Sequence, residues 1–86
     1  MSVEDILSER GKVYGSFSDV SSVYCGIKNA LDNGVNRDVN PRFDAALDMI
    51  AMKMARIVCG DPTHVDNFLD IAGYATLVVK SLEEKK

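Results

Sequence analysis

The sequence predicts an all-α fold, a small antiparallel bundle of three main helices preceded by a short N-terminal helix and completed by self-association. Three observations carry this. Apolar residues recur every three or four positions over residues 20–31, 41–59 and 62–82, the period of an amphipathic helix. Asn33-Gly34 and Gly60-Asp61-Pro62 stand between these stretches as stop and start signals. An apolar fraction of 47% with 27% charged residues is that of a chain that folds into a core.

Taken in order, residues 3–9 make one or two turns with Val3, Ile6 and Leu7 on one side, and Gly11 and Gly15 interrupt them. Residues 10–17 read as a turn-rich segment. Its Val13, Tyr14 and Phe17 predict that it packs down on the helices. Ser18 suits an N-cap, followed by a stripe of Val20, Val23, Tyr24, Ile27 and Leu31 that ends near Asn33-Gly34. Residues 34–40 lack periodicity and read as a loop. Pro41 then opens a third helix to Cys59, with a stripe of Phe43, Leu47, Ile50, Met54, Ile57 and Val58. Ala45, Met49, Met52 and Ala55 widen that surface, so burial on more than one side is expected. Gly60 ends the helix, Asp61 caps the next with Pro62 at its first position, and the fourth helix runs to about Leu82 before residues 83–86 fray. Its expected core stripe is Phe68, Ile71, Ala72, Ala75, Val79 and Leu82.

A chain of 86 residues has room for one domain, spanning 1–86. A domain of this size buries only about 60% of its unfolded surface, and pairing with a copy of itself is the natural remedy. A homo-oligomer is the expected state. The net charge of -3 and pI near 4.9 argue against general nucleic-acid binding, which needs clustered cations. Cys25 and Cys59 lie in apolar helical stretches, where a free thiol acts as a small hydrophobe. The acidic start Met1-Ser2-Val3-Glu4-Asp5 is unlike a signal peptide, and no apolar run approaches about 20 residues, so a cytoplasmic protein without membrane contact is expected.

The residues richest in chemistry face one another across the third and fourth helices. Asp66, Asp70 and Tyr74 are spaced by four and share a face with Gly73 and Leu77, while Lys53 and Arg56 lie one turn apart on the least apolar side of the third helix. A glycine at position 73 predicts that something packs close. Two readings follow. In one, Asp66 and Asp70 pair with Arg56 and Lys53 as internal struts or across a dimer interface. In the other, Asp66 and Asp70 hold a Mg2+-type cation while Lys53 and Arg56 contact ligand phosphates. Asp44 and Asp48 point in another direction. His64 reads as a surface residue in the first turn of the fourth helix, Met49, Met52 and Met54 as core filling, and Tyr14 beside Gly15 as a loop anchor or a platform for a ligand. Cysteine and histidine spacing for zinc, a G-x-S-x-G elbow, a phosphate loop and a dinucleotide fingerprint are all lacking.

The pattern Arg10-x-x-x-Tyr14-Gly15-x-Phe17, Met49-Ile50-x-x-Lys53-x-x-Arg56-Ile57-x-x-Gly60-Asp61 and Asp66-Asn67-x-x-Asp70-Ile71-Ala72-Gly73-Tyr74-Ala75 resembles a family of short uncharacterised proteins of tailed bacteriophages and prophages, a domain of unknown function. The resemblance covers nearly the whole chain and implies a phage setting without an activity. A more distant likeness is to the MazG-type all-α nucleotide pyrophosphatases, in which an Asp-x-x-x-Tyr-like helix helps to bind Mg2+ and nucleotide. Asp66, Asp70 and Tyr74 match that helix. Those enzymes carry a Glu-Glu-x-x-Glu-like cluster where this chain has Met49, Met52, Lys53 and Arg56. The leading expectation is thus a phage-type accessory protein that binds a nucleotide or phosphorylated ligand through Lys53, Arg56, Asp66, Asp70, Tyr74 and Tyr14, with catalysis optional. The alternative is an interaction protein that binds and inhibits a host enzyme or defence factor.

Overall fold

Ser2 starts the first helix. Its hydroxyl accepts from the Asp5 backbone N–H at 3.1 Å and its own N–H donates to the Asp5 carboxylate at 3.4 Å, closing a capping box. In the computed structural model, which describes residues 2–34 and 38–84, this helix (α1) runs Val3–Tyr14 and passes through Gly11. The expected interruption at Gly11 and the turn-rich reading of residues 10–14 are thereby overturned. One interior glycine costs only about 1 kcal/mol, which a capped helix absorbs. The stop comes at Gly15, whose φ of 89° is open to glycine at no steric cost and whose N–H donates to the Gly11 carbonyl at 2.9 Å.

Helix α2 (Phe17–Asp32) is capped by Ser16 rather than Ser18, because with α1 ending at Tyr14 the Ser16 hydroxyl is the one placed to accept from the Asp19 N–H, at 3.1 Å. It ends at Asn33, as expected. Of the expected loop, residues 35–37 lie outside the described residues. Helix α3 (Pro41–Cys59) has the expected bounds, with Asn40 accepting from the Arg42 N–H at 2.9 Å. Helix α4 (Val65–Glu84) starts later and ends later than expected. Asp61 caps a turn instead of the helix: its Oδ1 accepts from the Thr63 N–H at 2.9 Å and the Thr63 hydroxyl at 2.6 Å. His64 therefore precedes α4. No described helix is long and apolar enough to cross a membrane.

Helix α3 is central, with α2 and α4 packed on different sides and α1 touching it lightly. The Lys28 ammonium on α2 reaches the Asp48 carboxylate on α3 at 2.6 Å, and that hydrogen bond raises the lysine pKa above its ordinary value. Few apolar side chains are buried. Val20, Ala51 and Ala55 are the buried apolar residues among those described.

The expected α2 stripe faces inward except at Leu31, but half of the α3 stripe and all of the α4 stripe except Ile71 are turned outward. On α4 the inward positions are Asn67, Ile71, Tyr74, Val78 and Ser81, at steps of four and three, whereas Phe68, Ala72, Ala75, Val79 and Leu82 are exposed. On α3, Leu47, Met54 and Val58 are exposed and Lys53, read as the least apolar side, is buried. Met49 and Met54, read as core filling, are likewise exposed. The reason lies in the connections. The tight α3–α4 turn and the Lys53–Asp70 pair fix how the two helices face each other, and two antiparallel helices cover only one side of each. At 100° per residue, both exposed stripes lie about a quarter turn from the line joining α3 and α4, on the same side. They form one apolar face.

Candidate functional site

Two glycines bring the end of α1 against the α3–α4 turn. A Cβ on Gly60 would meet the Tyr14 carbonyl carbon at 2.6 Å and the Gly15 nitrogen at 2.7 Å, and one on Gly15 would meet the Cys59 Cβ at 2.7 Å. Only bare backbone fits. The approach is locked by the Asp61 N–H donating to the Val13 carbonyl at 2.8 Å. Tyr14 is thus held over the turn from α3 to α4 by main-chain contacts.

Around its ring the cations gather. The Arg56 guanidinium sits 4.9 Å and that of Arg10 5.5 Å from the ring centroid, both within cation–π range. The His64 ring meets Tyr14 edge-on at 5.4 Å. Among the described residues, neither arginine has a carboxylate partner. Arg10, Tyr14 and Arg56 border an open cleft of about 890 Å³ between α1, α2 and α3, whose walls include Leu7, Phe17 and Met52. Phe17 is 88% exposed there. An unneutralised guanidinium pair beside apolar walls suits an anion attached to a planar apolar group.

The remaining candidates fall elsewhere. Lys53 Nζ lies 2.9 Å from the Asp70 carboxylate, joining α3 to α4, with Lys53 nearly buried and Asp70 half exposed. Tyr74 is half-buried below them and, with Asp70, Gly73 and Leu77, lines a shallow hollow on the outside of α4. Among the described residues nothing comes within 4 Å of a Cβ built at Gly73, so the close packing expected there is not found. Asp66 does not meet Arg56; its carboxylate lies 3.6 Å from His64 Nε2. The six expected site residues therefore divide into an Arg56–Tyr14 group and a Lys53–Asp70–Tyr74 group, with Asp66 beside His64.

A cation on Asp66 and Asp70 would have to compete with Lys53 for Asp70. No group of three or more His, Cys, Asp or Glu side chains converges among the described residues. Cys25 and Cys59 are free, Cys25 exposed and Cys59 half-buried.

Three residues of this region escape sequence reasoning. Arg10 joins the site because α1 continues through Gly11 and places it one turn before Tyr14; the four-residue spacing stands in the motif, but it puts the two on one helical face only once that helix is known to continue. His64, taken for a surface residue, is half-buried, and its Nε2 is buried without a hydrogen-bond partner. Asn67 is 1% exposed, with its Nδ2 unpartnered. Asn67 stands in the motif that begins at Asp66, but helical periodicity gives no sign of its burial, since asparagine at the third position of a helix is ordinarily solvated.

Neither a curated protein nor a solved structure matches the chain. A family model does, over residues 2–81, and with nearly the whole chain covered, from the α1 cap through the Tyr14 site to the last turn of α4, this protein belongs to the family described as a domain of unknown function, DUF6378.

Proposed function

We propose that this protein binds a nucleotide or a related phosphorylated ligand, with Arg56 and Arg10 receiving the phosphate and Tyr14, Phe17 and Met52 bordering the planar part. The observation that carries it is the convergence of two guanidiniums without a carboxylate partner on one tyrosine at the mouth of an open cleft. Arginine in that state is matched to phosphate by its planar fork of donors. Lys53 and Asp70 act in this reading as the strut that holds α3 to α4, and Tyr74 and Asp66 flank them. Should a divalent cation accompany the ligand, Asp66 and Asp70 are the carboxylates to hold it. The protein works as a self-associated accessory protein in the cytoplasm of a phage-infected host, a setting taken from its resemblance to short phage proteins. Hydrolysis of the MazG type is a further step, tested by incubating nucleoside triphosphates and Mg2+ with the protein and assaying pyrophosphate.

Binding itself is tested by calorimetric titration with a panel of nucleoside mono-, di- and triphosphates and cyclic nucleotides, with and without Mg2+. At least one should bind, and Arg56→Ala should weaken it at least about tenfold, as loss of a charge-assisted contact of about 1.5–3 kcal/mol requires. Silence across the panel sinks the reading. The competing reading is a protein that binds and inhibits a host enzyme or defence factor, and the exposed apolar face of α3 and α4 is the observation in its favour.

A further inference from the structure

The outward face of α4 has the spacing of a helix-packing seam. Val65, Phe68, Ala72, Ala75, Val79 and Leu82 follow at steps of three, four, three, four and three, all exposed. Leu47, Met54 and Val58 of α3 continue it, Val58 being 71% exposed. Ala72 and Ala75 at its middle let a helix backbone come close, with larger side chains at both ends to interdigitate. Small ligands do not need such length.

The amount of surface left open says what covers it. The chain exposes 6309 Å², against about 5,000 Å² for a compact protein of its 9.4 kDa mass, an excess of about 1,300 Å². Its radius of gyration is 15.0 Å, where about 12 Å is usual for this length. That excess falls toward the lower end of what one subunit of an obligate homodimer buries, about 1,000–2,500 Å². So few apolar side chains are buried within the chain that the cover must be present whenever the chain is. A second copy meets that condition; an occasional partner does not.

We propose that a second copy of this chain packs its own α3–α4 hairpin on this face, through the seam Phe68–Ala72–Ala75–Val79–Leu82, making a symmetric four-helix layer. The contact is isologous, as two-fold pairing of one patch with itself requires. This specifies the face by which the protein self-associates and does not rest on the ligand reading, because Asp70 and Leu77 lie on the other side of α4.

Sedimentation and light scattering on the full chain without ligand test it, together with thermal melts over about a hundredfold range of concentration, since a dimer's melting midpoint rises with concentration. The wild type should have twice the mass of the 9.4 kDa chain. Val79→Lys and Ala72→Glu should each raise the dissociation constant at least about tenfold, the effect of forcing a charge into an apolar contact, and Leu77→Lys should leave it unchanged. A wild-type monomer with a concentration-independent midpoint overturns the proposal, including the case in which that monomer binds some other protein. So does a dimer that tolerates both seam variants or is lost in Leu77→Lys. Should a seam variant fail to fold, the wild-type mass and the concentration dependence of its midpoint decide.

Discussion

At the scale of single residues, the glycines separate into those that make room and those that only weaken a helix. Gly15 and Gly60 are in backbone contact with each other's segments, and Gly15 also holds a positive φ. Gly15→Ala and Gly60→Ala should each destabilise by about 2 kcal/mol or more, because backbone must move to admit a Cβ. Gly73→Ala meets nothing and should raise stability by about 0.5–1 kcal/mol in thermal or denaturant unfolding. Asp61 adds a pH dependence. Its hydrogen bonds from the Thr63 hydroxyl and N–H hold the carboxyl below its ordinary value. The folded state thus favours the charged form. Stability from this group is complete above the unfolded carboxylate pKa of about 3.9 and is lost as pH falls through the lower folded value. Melting curves taken between about pH 5 and pH 2 should fall less steeply in Asp61→Asn than in the wild type.

At the scale of elements, the α3–α4 junction is held by an asymmetric ion pair, with Lys53 nearly buried and Asp70 half exposed. Removing either partner has unequal consequences. Asp70→Ala leaves a nearly buried ammonium without its carboxylate and should cost about 1–3 kcal/mol, between the values for exposed and buried pairs. Lys53→Met replaces that ammonium with an apolar chain of similar length and leaves only a half-solvated carboxylate. It should cost less than Asp70→Ala in chemical denaturation, and equal losses would show that the pair is not the strut described. The Lys28–Asp48 bond performs the corresponding join between α2 and α3 and was not legible in sequence, where Lys28 shows only its partner one turn on, Asp32, at 3.8 Å.

At the scale of the whole molecule, charge and apolar surface are sorted onto different parts of the fold. The guanidiniums of Arg10 and Arg56 meet Tyr14 beside the cleft at the α1 end, while the apolar stripes of α3 and α4 share a face that nothing among the described residues covers. The ligand reading and the pairing of copies thus engage separate surfaces. Arg56→Ala should weaken ligand without altering mass in solution, and Val79→Lys should alter mass without removing the Arg56–Tyr14 contact.

The sequence by itself determined that the chain is helical and the bounds of α3, while the extent of α1, the cap of α2 and the start of α4 came out differently. Periodicity, Pro41 after Asn40 and Gly60 after Cys59 set α3 to the residue, because capping and helix propensity are local physics. It also brought Lys53 opposite Asp70, since a short turn makes antiparallel neighbours. Only the tertiary structure decided which side of each helix turned inward. Phe68, Val79 and Leu82 were the stronger apolar stripe of α4, yet Asn67, Ile71 and Tyr74 occupy the inner side, because that choice depends on how neighbouring helices are joined and on what else is present to cover the rest. The Arg10–Tyr14–Arg56 site was hidden for the same kind of reason. Its residues come from helices far apart in sequence, brought together by two glycine backbones at a contact that no local pattern encodes.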